Sequence, residues 1–158
     1  MTMRRARQQL PESEAKALLA TATNGVLSLV DADGAPYGVP MSFVYDGAQT
    51  IYFHGARAGR KLDCVAGCDR ASFCVVGLDE IHPERFTTYF RSVIAEGRIA
   101  VATDPAEIVA ALRMLAAKYA PGAESAGEIA GALERVAILR LEIRTLTGKE
   151  AIELTRNR

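Results

Sequence analysis

The stretch Ile51-Tyr52-Phe53-His54-Gly55-Ala56-Arg57-Ala58-Gly59-Arg60-Lys61-Leu62 concentrates the residues best suited to chemistry. A β-rich run passes into a loop with two glycines and three cations, and a helix begins there. Glycines let backbone N–H groups approach an anion closely, and a helix N-terminus adds partial positive charge. Arg57, Arg60 and Lys61 are the side chains that can give a phosphate charge-assisted hydrogen bonds. The competing reading is a solvated loop whose cations only flank Asp63 and Asp69. His54, at the strand end, is a candidate hydrogen-bond donor at the edge of a cofactor ring, an acid, a metal or haem ligand, or a residue that merely bonds backbone.

A second stretch, Gly38-Val39-Pro40-Met41-Ser42-Phe43-Val44-Tyr45, sets a proline and a hydroxyl inside an otherwise apolar strand. Proline removes a ladder donor, so the strand is irregular or lies at an edge, and irregular backbone leaves amides free to face a ligand. His82, in Ile81-His82-Pro83-Glu84, reads as a loop residue. The two histidines lack H-x-x-x-H spacing, and no metal-ligand pattern joins them to acidic residues. Cys64, Cys68 and Cys74 cannot all pair within one chain and make no tetrahedral zinc set, so they read as small apolar residues. There is no Gly-x-Ser-x-Gly elbow, no GxGxxG and no GxxxxGK[ST].

These residues need a scaffold, and the pattern predicts mostly strands. Residues 11–23 suit a short helix, with Ala15, Leu18, Leu19 and Ala22 on one face and Asn24-Gly25 as its stop. Val26–Val30, Tyr37–Tyr45 and Thr50–His54 follow as strands, parted by Asp31-Ala32-Asp33-Gly34 and Asp46-Gly47 turns. A small helix over Arg60–Cys68 leads to a strand at Ala71–Val76. Tyr89–Thr103 is a long strand in which Gly97 predicts a bulge or bend. Asp104 can cap the next helix, Pro105 fits its first position, and Glu107 resembles the far half of a capping box. Ile108, Leu112, Leu115 and Tyr119 make its stripe, and residues 125–135 suit another short helix. Finally Ala137, Leu139, Leu141 and Ile143 alternate with Ile138, Arg140, Glu142 and Arg144 in a half-buried strand. About six strands with hairpin links predict an antiparallel sheet, closed or nearly closed into a barrel, with helices beside it.

Length and charge narrow the classes. At 158 residues the chain is read as one domain, 1–158. Nineteen basic side chains face nineteen acidic ones, which disfavours a phosphate-neutralising nucleic-acid binder. The longest uncharged stretch, Ala17–Val30, is too short and too interrupted for a membrane span, and no apolar run follows the N-terminal arginines to make an export signal. A reduced, cytoplasmic setting is therefore expected.

Taken together, Gly38–Phe43, Tyr52–Ala56, Gly59–Asp63 and Arg91–Gly97, with the helix after Asp104-Pro105 and a closing strand ending in Thr147-Gly148-Lys149, resemble the flavin-binding split barrels related to pyridoxamine 5′-phosphate oxidase. The nearest branch in pattern is the one containing the 5-nitroimidazole-resistance proteins. The resemblance spans about Arg4 to Lys149. It implies a mainly β fold with flanking helices (α+β), a six-stranded antiparallel split barrel of the FMN-binding type, and a homodimer with flavins at the interface. It further implies that Pro40, Met41 and Ser42 line the flavin ring, that Phe43 is among the cofactor-binding residues, and that His54 and Gly55 border the ring. Lys61 with Arg60 or Arg57 would hold the phosphate, and Ser92 would touch the ring. FMN is the expected cofactor, with FAD the alternative. The expected activity is oxidoreduction of a small organic acceptor, with NAD(P)H as a donor and His54 as catalytic residue. A haem-binding or haem-degrading protein, or a flavin module without turnover, are the rivals. True pyridoxamine-phosphate oxidases carry C-terminal Arg, His and Trp positions; this chain has no Trp and runs instead into Glu150-Ala151-Ile152-Glu153-Leu154, which argues against making pyridoxal phosphate. Arg98 stands where the nitroimidazole branch often has lysine.

Overall fold

Alternation along the strands decides which face of the sheet is buried. In β1 (Gly25–Val30), Leu27 and Leu29 are buried while Val26 and Ser28 are exposed. The same period continues through β2 (Pro36–Met41), the first half of β5 (Arg70–His82), β6 (Thr87–Val101) and β7 (Val136–Glu150). Two shorter strands, β3 (Val44–Tyr45) and β4 (Thr50–Ala56), complete the sheet. The computed structural model describes residues 3–122 and 126–157.

All neighbouring strands pair antiparallel, in the order β2-β1-β5-β6-β7-β4-β3. The described residues thus hold seven strands rather than six, and the sheet is not closed, since β2 and β3 are its two ends. The extra strand arises because the run expected over Tyr37–Tyr45 breaks at Ser42-Phe43. There the Phe43 amide donates to the Tyr119 hydroxyl, 2.9 Å away, instead of joining a ladder.

One core fills one face of the sheet. Phe43, Phe53 and Phe73 are fully buried, with ring centroids 4.7 Å (Phe43–Phe73) and 5.0 Å (Phe53–Phe73) apart in edge-on geometry. Burial of each such ring contributes about 1.5–3 kcal/mol. Leu139, Leu141 and Ile143 of β7 join it, while Ile138 points the other way. That second face is covered by α3 (Pro105–Tyr119) and α4 (Ala126–Leu133), whose Leu112, Leu115 and Ile129 pack on Tyr52 and Ile138. The expected helix at 125–135 matches α4, although Ser125 lies outside the described residues.

The remaining helices are α1 (Glu12–Thr21), capped by Pro11, and α2 (Arg60–Gly67). At α3, Asp104 accepts from the Ala106 amide (3.1 Å), as a cap should. Glu107 does not close a capping box. Its carboxylate accepts from the Tyr52 hydroxyl (3.0 Å) and the Arg140 guanidinium (2.9 Å), tying the helix start to β4 and β7. The β6–β7 register shifts between Glu96 and Gly97, where the sequence predicts the bulge.

β5 runs past Val76, its expected end, to His82. Leu78–His82 pair with Thr87–Arg91 as a two-stranded arm. His82 is thus a strand residue rather than a loop residue. Its ring stacks on Tyr89 at 3.8 Å, with Glu80 (2.7 Å) and Glu84 (3.2 Å) at its two nitrogens. No described helix is long and apolar enough to cross a membrane.

Candidate functional site

The start of α2 is held open. Its N-cap is Gly59, at φ 135°, a conformation L side chains rarely adopt. Glycine brings no capping oxygen, and no side chain caps the first-turn N–H groups of α2 among the described residues. They border a small cavity of about 70 Å³ lined by Tyr37, Gly55, Gly59, Lys61, Ala137 and Leu139, among others.

The three cations of the loop take different roles. Arg60 is committed to the β1–β2 hairpin: its guanidinium bonds Asp31 Oδ2 at 3.0 Å and lies over the Tyr37 ring at 3.9 Å. That hydrogen bond, then the Ala32 amide, hold the Asp31 carboxyl below the usual carboxylate range. Arg57 donates to the Leu133 carbonyl at the end of α4. Lys61 has no ion pair or hydrogen bond among the described residues, and its Cε lies 3.4 Å from where a Gly55 Cβ would stand. A Cβ at position 55 would stand in ordinary van der Waals contact with this lysine. The free cation, the open helix start and a cavity of this size suit one phosphate group.

The structure gathers Gly55, Arg60 and Lys61 at this cavity and places Arg57 on the same loop. His54 does not line it. It is exposed on β4, opposite Ile138, and by strand alternation faces away from Gly55. Pro40 and Ser92 lie on the outer face of the sheet instead. Pro40 pairs with Val26, and Ser92 stands between Val76 and Lys149. Met41 is buried and Ser42 exposed. The Phe43 ring is wholly inside the core, which confines any ligand contact of this residue to its main chain. The residues expected to line a flavin ring and those expected to hold its phosphate thus form two groups within one chain.

Tyr37, Ala137 and Leu139 were not singled out from sequence. Strand alternation marks all three as ordinary sheet residues, and only the β4–β7 register (Gly55 opposite Ala137, Phe53 opposite Leu139) brings the β7 pair to the cavity. Among the described residues no three His, Cys, Asp or Glu side chains meet to hold a metal ion. The cysteines are free, with Cys64 buried in the core and the Cys74 thiol pushed up by burial.

Solved structures share this fold. A candidate 5-nitroimidazole antibiotic resistance protein from Bacteroides thetaiotaomicron is 20% identical, with a TM-score of 0.77 over 90% of this chain and 86% of that one. The flavocytochrome Anf3 from Azotobacter vinelandii is 24% identical (TM-score 0.76; 94% and 72% covered). A FAD- and haem-binding protein from Mycobacterium smegmatis is 22% identical (TM-score 0.73; 92% and 73% covered). No curated protein sequence matches the chain. The model of one family, described as pyridoxamine 5′-phosphate oxidase, matches residues 11–150, the whole sheet together with α1 to α4, and the chain belongs to that family.

Proposed function

We propose that this chain is a flavin-binding homodimer, with FMN as cofactor, that reduces a small organic acceptor. The observation that carries the reading is Lys61: an unpaired ammonium over Gly55, beside an uncapped helix start, in a cavity of phosphate size. Structures of the same fold include a flavocytochrome and a FAD- and haem-binding protein, which supports a flavin. When bound, flavin supplies reversible two-electron transfer between a nicotinamide donor and an acceptor such as a nitro compound or quinone. Lys61 and the first-turn amides of α2 hold the phosphate, while Arg60, fixed by Asp31 and Tyr37, shapes the cavity wall.

Size and surface support the homodimer. About 70 Å³ takes a phosphate, whereas ligand pockets usually run from about 300 Å³. The ring must therefore lie outside the cavity, where a second copy can exclude water. The outer sheet face offers an apolar band for that contact. Val26, Val76 and Ile94 are 45%, 58% and 40% exposed, and Pro40, Val26, Cys74 and Ile94 form one cross-strand row. Ser92 and Pro40, which do not line the phosphate cavity of their own chain, would serve the partner's flavin.

Release of the cofactor and its mass identify FMN or FAD, and anaerobic bleaching by NADH or NADPH checks turnover. A colourless protein that takes up neither flavin refutes the reading. The haem alternative keeps one observation in its favour, an exposed His54 with no hydrogen-bond partner among the described residues. A Soret band abolished by His54→Ala would establish it, whereas bound flavin retained in that variant, with altered turnover, supports His54 as a residue acting on the acceptor.

A further inference from the structure

We propose that Lys118 and Tyr119, at the last turn of α3, are positioning residues for the cofactor edge formed by Pro40–Ser42; this role rests on the flavin reading above. The edge lies where β2 stops at Met41 and β3 has not begun, so Ser42 and Phe43 lie outside the named strands. Both polar groups of the Phe43 backbone are taken by the end of one helix. Its N–H donates to the Tyr119 hydroxyl at 2.9 Å, and its carbonyl accepts from Lys118 Nζ at 2.9 Å. Having accepted from Phe43, the Tyr119 hydroxyl has one proton to donate and two carbonyls within reach, Thr23 at 2.6 Å and Phe43 at 2.9 Å. Lys118 also donates to the Ala22 carbonyl (2.6 Å) and lies 3.9 Å from the centre of the Phe43 ring.

Phe43 is wholly buried, so its two backbone polar groups at the strand break need protein partners, and the end of α3 supplies both. No carboxylate among the described residues pairs with Lys118, and burial pushes its pKa down. A cation is thus kept partly desolvated, facing carbonyls and the rings of Phe43 and Tyr119. The arrangement turns Phe43 inward onto Phe73 and fixes both of its backbone groups. Ser42, its neighbour, is left exposed, with Pro40 exposed two residues before it. The helix end therefore sets which way the irregular edge faces. Lys118 and Tyr119 do so without lining the phosphate cavity.

The test uses the full chain and FMN, with affinity read by fluorescence quenching and the visible spectrum of the bound flavin recorded alongside. Lys118→Met keeps length and apolar bulk but removes the charge. The expected result is about tenfold weaker FMN binding and shifted flavin absorption bands, in a variant whose circular dichroism is that of the native fold. Lys118→Arg should restore both. Tyr119→Phe, which retains the cation, should weaken FMN binding and speed hydrogen exchange at the Phe43 amide. If Lys118→Met fails to fold, Tyr119→Phe decides. Wild-type affinity and spectrum in the folded variants overturn the positioning role alone, as does a loss that follows only a lower melting temperature and is not rescued by arginine. A wild-type protein that binds neither FMN nor FAD overturns the flavin reading and this role together.

Discussion

Gly97 and Glu142 sit so close across the β6–β7 bulge that a Cβ on Gly97 would stand 1.8 Å from the Glu142 carbonyl oxygen. No rotamer relieves that contact, because the opposing atom is backbone. Gly97→Ala should therefore destabilise the fold by about 3 kcal/mol, the upper end for overpacking. Urea unfolding followed by circular dichroism measures it. A midpoint unchanged from wild type would mean that the bulge relaxes freely.

Lys61→Ala should weaken FMN binding roughly ten- to a hundredfold and leave the fold intact, since a charge-assisted contact is worth about 1.5–3 kcal/mol. Arg60→Ala should cost less affinity, because its guanidinium is already engaged by Asp31 and Tyr37. Fluorescence titration at moderate salt ranks the two. The reverse order would move the phosphate contact to Arg60.

Much of this site was legible in the residues, for a physical reason. A β-rich run, two glycines and a cationic helix start are all local signals, and they fall together at Tyr52–Leu62. What local pattern cannot carry is the other wall. Tyr37 and Leu139 reach the cavity through pairing and packing between distant segments. The arm of β5 was hidden differently: Asp79, Glu80, Pro83 and Glu84 have turn and loop character, yet Leu78–His82 extend because each finds a partner on β6. Tyr119 fitted the apolar stripe of α3, but it is 39% exposed and acts through its hydroxyl. The loss of one strand into two at Ser42-Phe43 was only half visible. Pro40 announced irregularity, but the helix end that captures Phe43 is far along the chain.

Tyr52 gives the protein an alkaline limit. Burial first, then its hydrogen bond to the Glu107 carboxylate, push the phenol up to about 12 from its usual 10. A raised folded value means that the stabilisation is fully present below pH 10, where the unfolded chain also keeps its proton. It fades as pH climbs through about 12. The loss is on the order of 2 kcal/mol. Tyr52→Phe lacks this titration, so the stability advantage of wild type over the variant should shrink between these two values. Parallel urea curves for both proteins at neutral and alkaline pH check the difference. A constant gap would show that Tyr52 ionises at its ordinary value.

The outer sheet face offers the sharpest test of assembly. Val76 and Ile94 are exposed apolar residues on adjacent strands, and a paired copy would cover them at the same time as it closes over the flavin ring. Placing carboxylates there, as Val76→Glu with Ile94→Glu, adds like charges facing each other across a two-fold interface and should cost little in the isolated chain, where both sites meet water. Light scattering should then fall from twice the 17.0 kDa chain mass to a single chain. Flavin affinity should fall with it, because the ring loses its second wall while Lys61 still holds the phosphate. If the double variant remains dimeric, the interface lies elsewhere. If it becomes monomeric and binds FMN as tightly as before, the ring is covered by this chain alone, and the assignment of Pro40 and Ser92 to a partner's flavin fails.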